Sequence, residues 1–123
     1  MEELKELFDA IEELRELSRE GWVIVVEGTK DLKALRKIGV EGEIVIFSGF
    51  SNTAERLKEK RVIILTDYDK KGSEIEKGLS RALLSYGNVP NIDLRRRIFR
   101  YIKKDITKVE ELGSFVRREE NGL

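Results

Sequence analysis

Apolar residues recur near the start of the chain at steps of three and four: Leu4, Leu7, Phe8, Ile11, Leu14 and Leu17. That spacing lines one stripe of a helix and predicts an amphipathic helix over residues 2–19, ended by Gly21. The pattern then changes. Trp22 to Val26 is a continuous apolar run between Gly21 and Glu27-Gly28, as expected of a strand covered on both faces. Leu32, Leu35 and Ile38 return to helical spacing within 30–38, and Gly39 stops them. Residues 43–47 predict a second buried strand, followed by the polar turn Ser48 to Asn52 and a short helix at about 53–59 with Ala54 and Leu57 inward. Residues 61–66 predict a third strand. A longer helix at about 72–86 follows, with Ile75, Leu79, Ala82, Leu83 and Tyr86 on one face. Gly87 to Asn91 breaks it, and two helical patterns close the chain, at 92–103 and about 107–117.

Alternating strands and helices predict an α/β fold, a small parallel sheet covered by helices and joined by right-handed crossovers. A length of 123 residues suits a single domain over 1–123. Its parts are a core at about 21–86, the N-terminal helix 2–19 and a C-terminal helical extension at 91–118. Only residues 89–92 could supply a fourth strand, and Pro90 keeps it short.

Composition narrows the chemistry. The chain has no Cys and no His, which removes thiolate nucleophiles, zinc–thiolate sites and every Ser-His-Asp arrangement. Carboxylate, Lys, Arg, Tyr, Ser and Thr chemistry remains, so any metal is a hard, oxygen-ligated one: Mg²⁺, with Mn²⁺ as the alternative. No run approaches a transmembrane span, and the charged first twenty residues do not resemble a signal peptide, so a cytoplasmic protein is expected. Net charge is zero but segregated: residues 2–20 carry eight acids and three bases, while residues 94–104 carry six bases and no acid. A local basic face is what binds phosphates, and Arg96 and Arg100 are its candidate contacts.

Ligands of an open parallel sheet bind beyond the carboxyl ends of its strands. Here those ends carry acids: Glu27 after the first strand, Asp67 and Asp69 after the third, with Asp31 four residues beyond Glu27. If residues 67–69 stay extended, the two Asp side chains point the same way. Acids crowded without a cation repel one another, and a divalent metal relieves that. Mg²⁺ uses one or two carboxylates, keeps waters and completes its shell with phosphate, so the cluster implies a phosphate-bearing substrate as well. Glu27 is the candidate general acid/base, since no His is present, and with Asp67, Asp69 and Asp31 it is also a candidate metal ligand. Gly28 and Gly72 follow these acids, where a missing Cβ permits tight turning and close ligand approach. Lys30, Lys70 and Lys71 are candidate backbone contacts, and the following helix aims its N-terminus at the site.

Residues 25–31, a strand ending in Glu27-Gly28 with Asp31 four residues after the Glu, resemble the first motif of the Toprim family. Residues 63–72, a strand ending in Asp67-x-Asp69-x-x-Gly72, resemble the second. Order and spacing also match, over residues 21–86. The resemblance implies the three-layer α/β/α, Rossmann-like Toprim fold. Toprim domains occur in topoisomerases, bacterial-type primases, a recombination mediator and nucleases, one of which matures ribosomal RNA. The chain is expected to be most similar to the small stand-alone, nuclease-type members. The family pattern assigns Glu27 as general acid/base and Asp67 and Asp69 as Mg²⁺ ligands, with Asp31 in support. It implies nucleic acid as the partner, RNA ahead of DNA, and phosphodiester hydrolysis. The alternative is a non-catalytic, metal-dependent nucleic-acid-binding or adaptor module with a protein partner supplying further contacts.

Competing readings exist for the same residues. Asp31 and Asp69 could each cap the helix that follows. An EF-hand loop is excluded, because Lys71 occupies a ligand position and Gly78 stands where the bidentate Glu belongs. A haloacid-dehalogenase-type Asp-x-Asp belongs on a first strand and would leave Glu27-Gly28 unexplained. The basic stretch 95–104 could be a solvated helix face, and Tyr68 a packing residue.

Overall fold

The computed structural model describes residues 2–121. Three parallel strands, β1 (Val23–Val26), β2 (Ile44–Ile46) and β3 (Val62–Ile64), form one sheet in the order β2-β1-β3. β1 is central and pairs Val25 with Val45 on one side and with Ile64 on the other. The ladders are shorter than the apolar runs. Single bonds, Phe47 N–H to Val26 O and Leu65 N–H to Val25 O, carry the pairing one residue further.

Strand periodicity divides the core. Ile24, Val26, Ile63 and Leu65 face one layer of helices; Val23, Val25, Val62 and Ile64 face the other. The first layer contains α1 (Glu2–Arg19), α2 (Thr29–Lys37), α5 (Asp93–Phe99) and α6 (Leu112–Asn121). The second contains α3 (Phe50–Leu57) and α4 (Lys70–Leu84). The result is the three-layer α/β/α architecture. All three strands are buried almost throughout, which is why they lack polar–apolar alternation.

Three local readings change. α3 begins at Phe50, because Gly49 takes φ +104 and Thr53 Oγ1 accepts the Ser48 N–H, folding the polar turn into the helix. α5 ends at Phe99, and residues 100–105 are turns. The expected fourth strand is a single parallel bridge. Asn91 donates its N–H to Val62 O and accepts that of Ile64, and Pro90, without an N–H, prevents further pairing. No helix among the described residues is long and apolar enough to cross a membrane.

Candidate functional site

Because β1 and β3 are adjacent and parallel, their carboxyl ends share one edge of the sheet. Glu27 leaves β1 there, and its Oε2 accepts the Asp67 backbone N–H at 2.8 Å. Asp31, in the first turn of α2, accepts the Gly28 N–H through Oδ2 at 3.1 Å. Asp67 Oδ1 accepts the Val109 N–H at 2.8 Å, and Asp69 Oδ1 caps α4 by accepting the Gly72 N–H at 2.7 Å. Each of the four carboxylates is thus oriented by one charge-assisted bond to the backbone. Their second oxygens accept no hydrogen bond from the described residues, although Asp69 Oδ2 lies 3.9 Å from Lys108 Nζ.

The electrostatics show which acids converge. Asp31 is buried, and its carboxyl is held above the ordinary range first by that burial and next by the Asp67 charge. The Gly28 N–H works the other way, while Glu27 and Glu110 add further repulsion. Glu27, Asp31 and Asp67 therefore form one field of negative charge, joined by Glu110, which no motif flagged. Asp69 is not among the charges that raise Asp31 and is bonded to the first turn of α4. The expected extended Asp67-Tyr68-Asp69 segment is instead an irregular loop beyond the β3 ladder, its two aspartates tied to different elements.

Among the described residues, no three such acids approach closely enough to hold a metal by themselves. Mg²⁺ needs only one or two carboxylates beside water and phosphate. A hard, all-oxygen donor set and the crowded charge around Asp31 suit such a cation. Asp67 and Asp69, with Asp31, are the residues that could hold it.

The loop itself is held from beneath by Arg95, buried and absent from the sequence-based candidates. Its guanidinium donates to Thr66 O at 3.0 Å, Asp67 O at 2.7 Å and Ser73 Oγ at 3.1 Å, and pairs with Glu76 at 3.1 Å. It also lies over the Tyr68 ring, which stacks on Phe99 at 5.5 Å, so Tyr68 packs. The Tyr68 N–H donates to Thr107 O at 2.7 Å, which brings the C-terminal turn over the loop.

The two glycines differ. A Cβ at Gly72 would stand 1.8 Å from Asp67 O, so this glycine is required by the protein's own backbone. A Cβ at Gly28 would meet nothing within 4 Å, and its extended backbone suits any residue.

Lys30, Lys70 and Lys71 are exposed and have no acidic partner among the described residues. The two candidate arginines, Arg96 and Arg100, have acidic partners. Arg100 pairs with Glu6 of α1, and Arg96 with Asp93 at 2.6 Å. Neighbouring Arg97 pairs with Glu13 of α1 at 3.0 Å. Two bases of the run, Arg97 and Arg100, therefore answer the acidic first helix.

Comparison with known proteins follows this geometry closely. The model of the Toprim domain matches residues 22–101. A UPF0292 protein of Archaeoglobus fulgidus is 56% identical over 94% of this chain and 93% of its own length. A UPF0292 protein of Methanocaldococcus jannaschii is 33% identical over 95% of this chain and 94% of its own. Among solved structures, a putative protein from Aquifex aeolicus superposes with a TM-score of 0.70 at 33% identity, covering 86% of this chain and 97% of that one.

Proposed function

This chain belongs to the Toprim family, and from that premise we propose that it is a cytoplasmic, Mg²⁺-dependent nuclease acting on structured RNA. The observation that carries the reading is the shared strand edge, where four carboxylates each give one oxygen to a backbone N–H and keep the other. Acids oriented in this way each keep an oxygen available to a cation that takes its remaining ligands from water and phosphate.

Bound Mg²⁺ supplies charge neutralisation and polarisation of a phosphoryl oxygen. Asp67 and Asp69 would hold it, with Asp31 in support. Glu27 moves the proton: Oε2 is fixed by the Asp67 N–H, which leaves Oε1 to accept from an attacking water and return the proton to the leaving oxygen. Gly28 leaves open space beside Glu27 for the phosphate. Lys30, Lys70 and Lys71 contact the nucleic-acid backbone. This reading groups the chain with the small nuclease-type Toprim members, and on that ground RNA is favoured over DNA.

One observation favours a second reading, a non-catalytic nucleic-acid-binding module that works with a protein partner. The carboxylates form no closed cage, and Asp69 serves as a helix cap. End-labelled RNAs and DNAs incubated in Mg²⁺, Mn²⁺ or EDTA separate the two. The nuclease reading expects cleavage by the wild type and none by Glu27→Gln, whose amide oxygen still accepts the Asp67 N–H and so preserves the loop. Asp67→Asn/Asp69→Asn should lose metal dependence along with cleavage. Metal-dependent binding without cleavage by any form would establish the module instead.

A further inference from the structure

Beside the carboxylate edge, α2 and α6 flank a cleft of about 580 Å³ floored by Ala34, Ile106 and Gly113. Five bases line it: Lys30, Lys33 and Lys37 from α2, Arg117 and Arg118 from α6. Two acids, Glu110 and Glu111, also line it, and Glu110 is the residue whose charge reaches Asp31. None of the five bases is in an ion pair among the described residues; Arg118 lies over the Phe115 ring.

The contrast with α5 gives this its weight. There, Arg95, Arg96, Arg97 and Arg100 all have carboxylate partners. In the cleft, five cations from two helices converge on one concavity against two acids, none of them in an ion pair among the described residues, which leaves an excess of positive charge for an external anion. Lys30, Lys33 and Lys37 stand at three- and four-residue steps on one helical stripe. From Lys30 to Lys37 the stripe covers about 10 Å at roughly 1.5 Å per residue. That matches the rise of about three nucleotides of one strand at roughly 3.4 Å each. The stripe begins at Lys30, three residues from Glu27, so it is continuous with the carboxylate edge.

We propose that the α2–α6 cleft is the phosphate track of this protein, holding successive backbone phosphates of the nucleic acid that flank the one at the carboxylate edge. The track rests on the nucleic-acid reading of that edge but not on cleavage. It reads charge and spacing, so it supplies affinity without sequence preference.

Fluorescence anisotropy tests it with a fluorescein-labelled RNA hairpin, single-stranded DNA and duplex DNA across a salt series. Lys33→Ala/Lys37→Ala/Arg117→Ala is compared with Arg56→Ala/Lys60→Ala/Lys77→Ala, which removes three exposed charges elsewhere. Each phosphate contact contributes about 0.7 to 0.9 to the slope of log affinity against log salt. The cleft variant should lose at least about tenfold in affinity and flatten that slope by about two units, while the control keeps both. Lys37→Glu alone, a single exposed substitution, should weaken binding in the same direction if the triple variant folds poorly. Equal behaviour of cleft and control variants overturns the track and leaves the functional reading standing. A wild type that binds none of the three probes overturns both.

Discussion

Gly28 and Gly72 occupy matching places in the two motifs and do different work. A methyl group at Gly72 would displace the Asp67 carbonyl, so Gly72→Ala should destabilise the fold by about 3 kcal/mol, as overpacking against backbone does. Gly28→Ala should cost only about 0.5 kcal/mol, the difference between Gly and Ala at a helix N-cap, yet weaken metal-dependent binding of nucleic acid. Denaturant melts beside anisotropy separate the two effects. A Gly28→Ala protein that binds normally would refute the idea that its open space receives ligand. Asp31 offers a second test at this scale. Its folded-state pKa is raised by burial and by Asp67, so the native state binds more protons than the unfolded one between the two pKa values. Stability contributed by this group therefore falls as pH rises through that window. Asp31→Asn keeps the acceptor for Gly28 and removes the charge. In EDTA it should melt higher than wild type at pH 7, with the gap closing towards pH 4, and Mg²⁺ should narrow it at neutral pH. The motif pattern already placed Glu27, Asp31 and Asp67 at one edge, because strand ends are visible where an apolar run meets an acid. Glu110 and Arg95 were invisible, since nothing local ties them to residues so far away in the chain.

At the scale of elements, helices and strands followed their periodicities, and the boundaries that moved did so for side-chain reasons. Thr53 and Gly49 drew α3 back to Phe50, and Pro90 held the expected fourth strand to one bridge. The charge pattern is the more instructive case. The basic segment looked like a phosphate face, and α1, packed beside it, takes up two of its charges, Arg97 through Glu13 and Arg100 through Glu6. Charge segregation along a sequence cannot distinguish an external partner from an internal one, because pairing depends on which helices become neighbours. Two outcomes follow. A double-mutant cycle on Glu13 and Arg97, both partly exposed, should return about 0.5 to 1 kcal/mol of coupling. Arg100→Ala should lower stability by about 1 kcal/mol, through Glu6 and its own packing, while nucleic-acid affinity stays within about twofold. A large loss of affinity in Arg100→Ala would return α5 to the binding surface.

Across the whole molecule, the carboxylate edge is assembled from both halves of the chain. Glu27 and Asp31 come from the β1–α2 unit and Asp67 from the end of β3. The Asp67–Asp69 loop, however, is held by Arg95 from below and by residues 107–109 from the side. The segment after the 87–91 turn looked in the sequence like a terminal extension; in the fold it is the clamp on the second motif. Arg95 is the centre of that clamp, and its surroundings determine what losing it does. Replacement by Leu keeps apolar contact with Tyr68 but leaves Glu76 without its cation and the Thr66 and Asp67 carbonyls without their donor. Removing one partner of a buried pair costs about 3 to 5 kcal/mol, a large share of a small domain's stability. Arg95→Leu/Glu76→Leu should recover part of that, since no charge is then stranded. Stability alone would mark Arg95 as structural, so the discriminating readout is local. In hydrogen exchange at a temperature where the double variant remains folded, the Tyr68 amide should lose protection while the amides of β1 keep theirs. Mg²⁺-dependent binding of nucleic acid should fall with that protection. If the loop stays protected and binding is unchanged in the double variant, Arg95 supports only the core, and Asp67 is positioned by Val109 and Glu27.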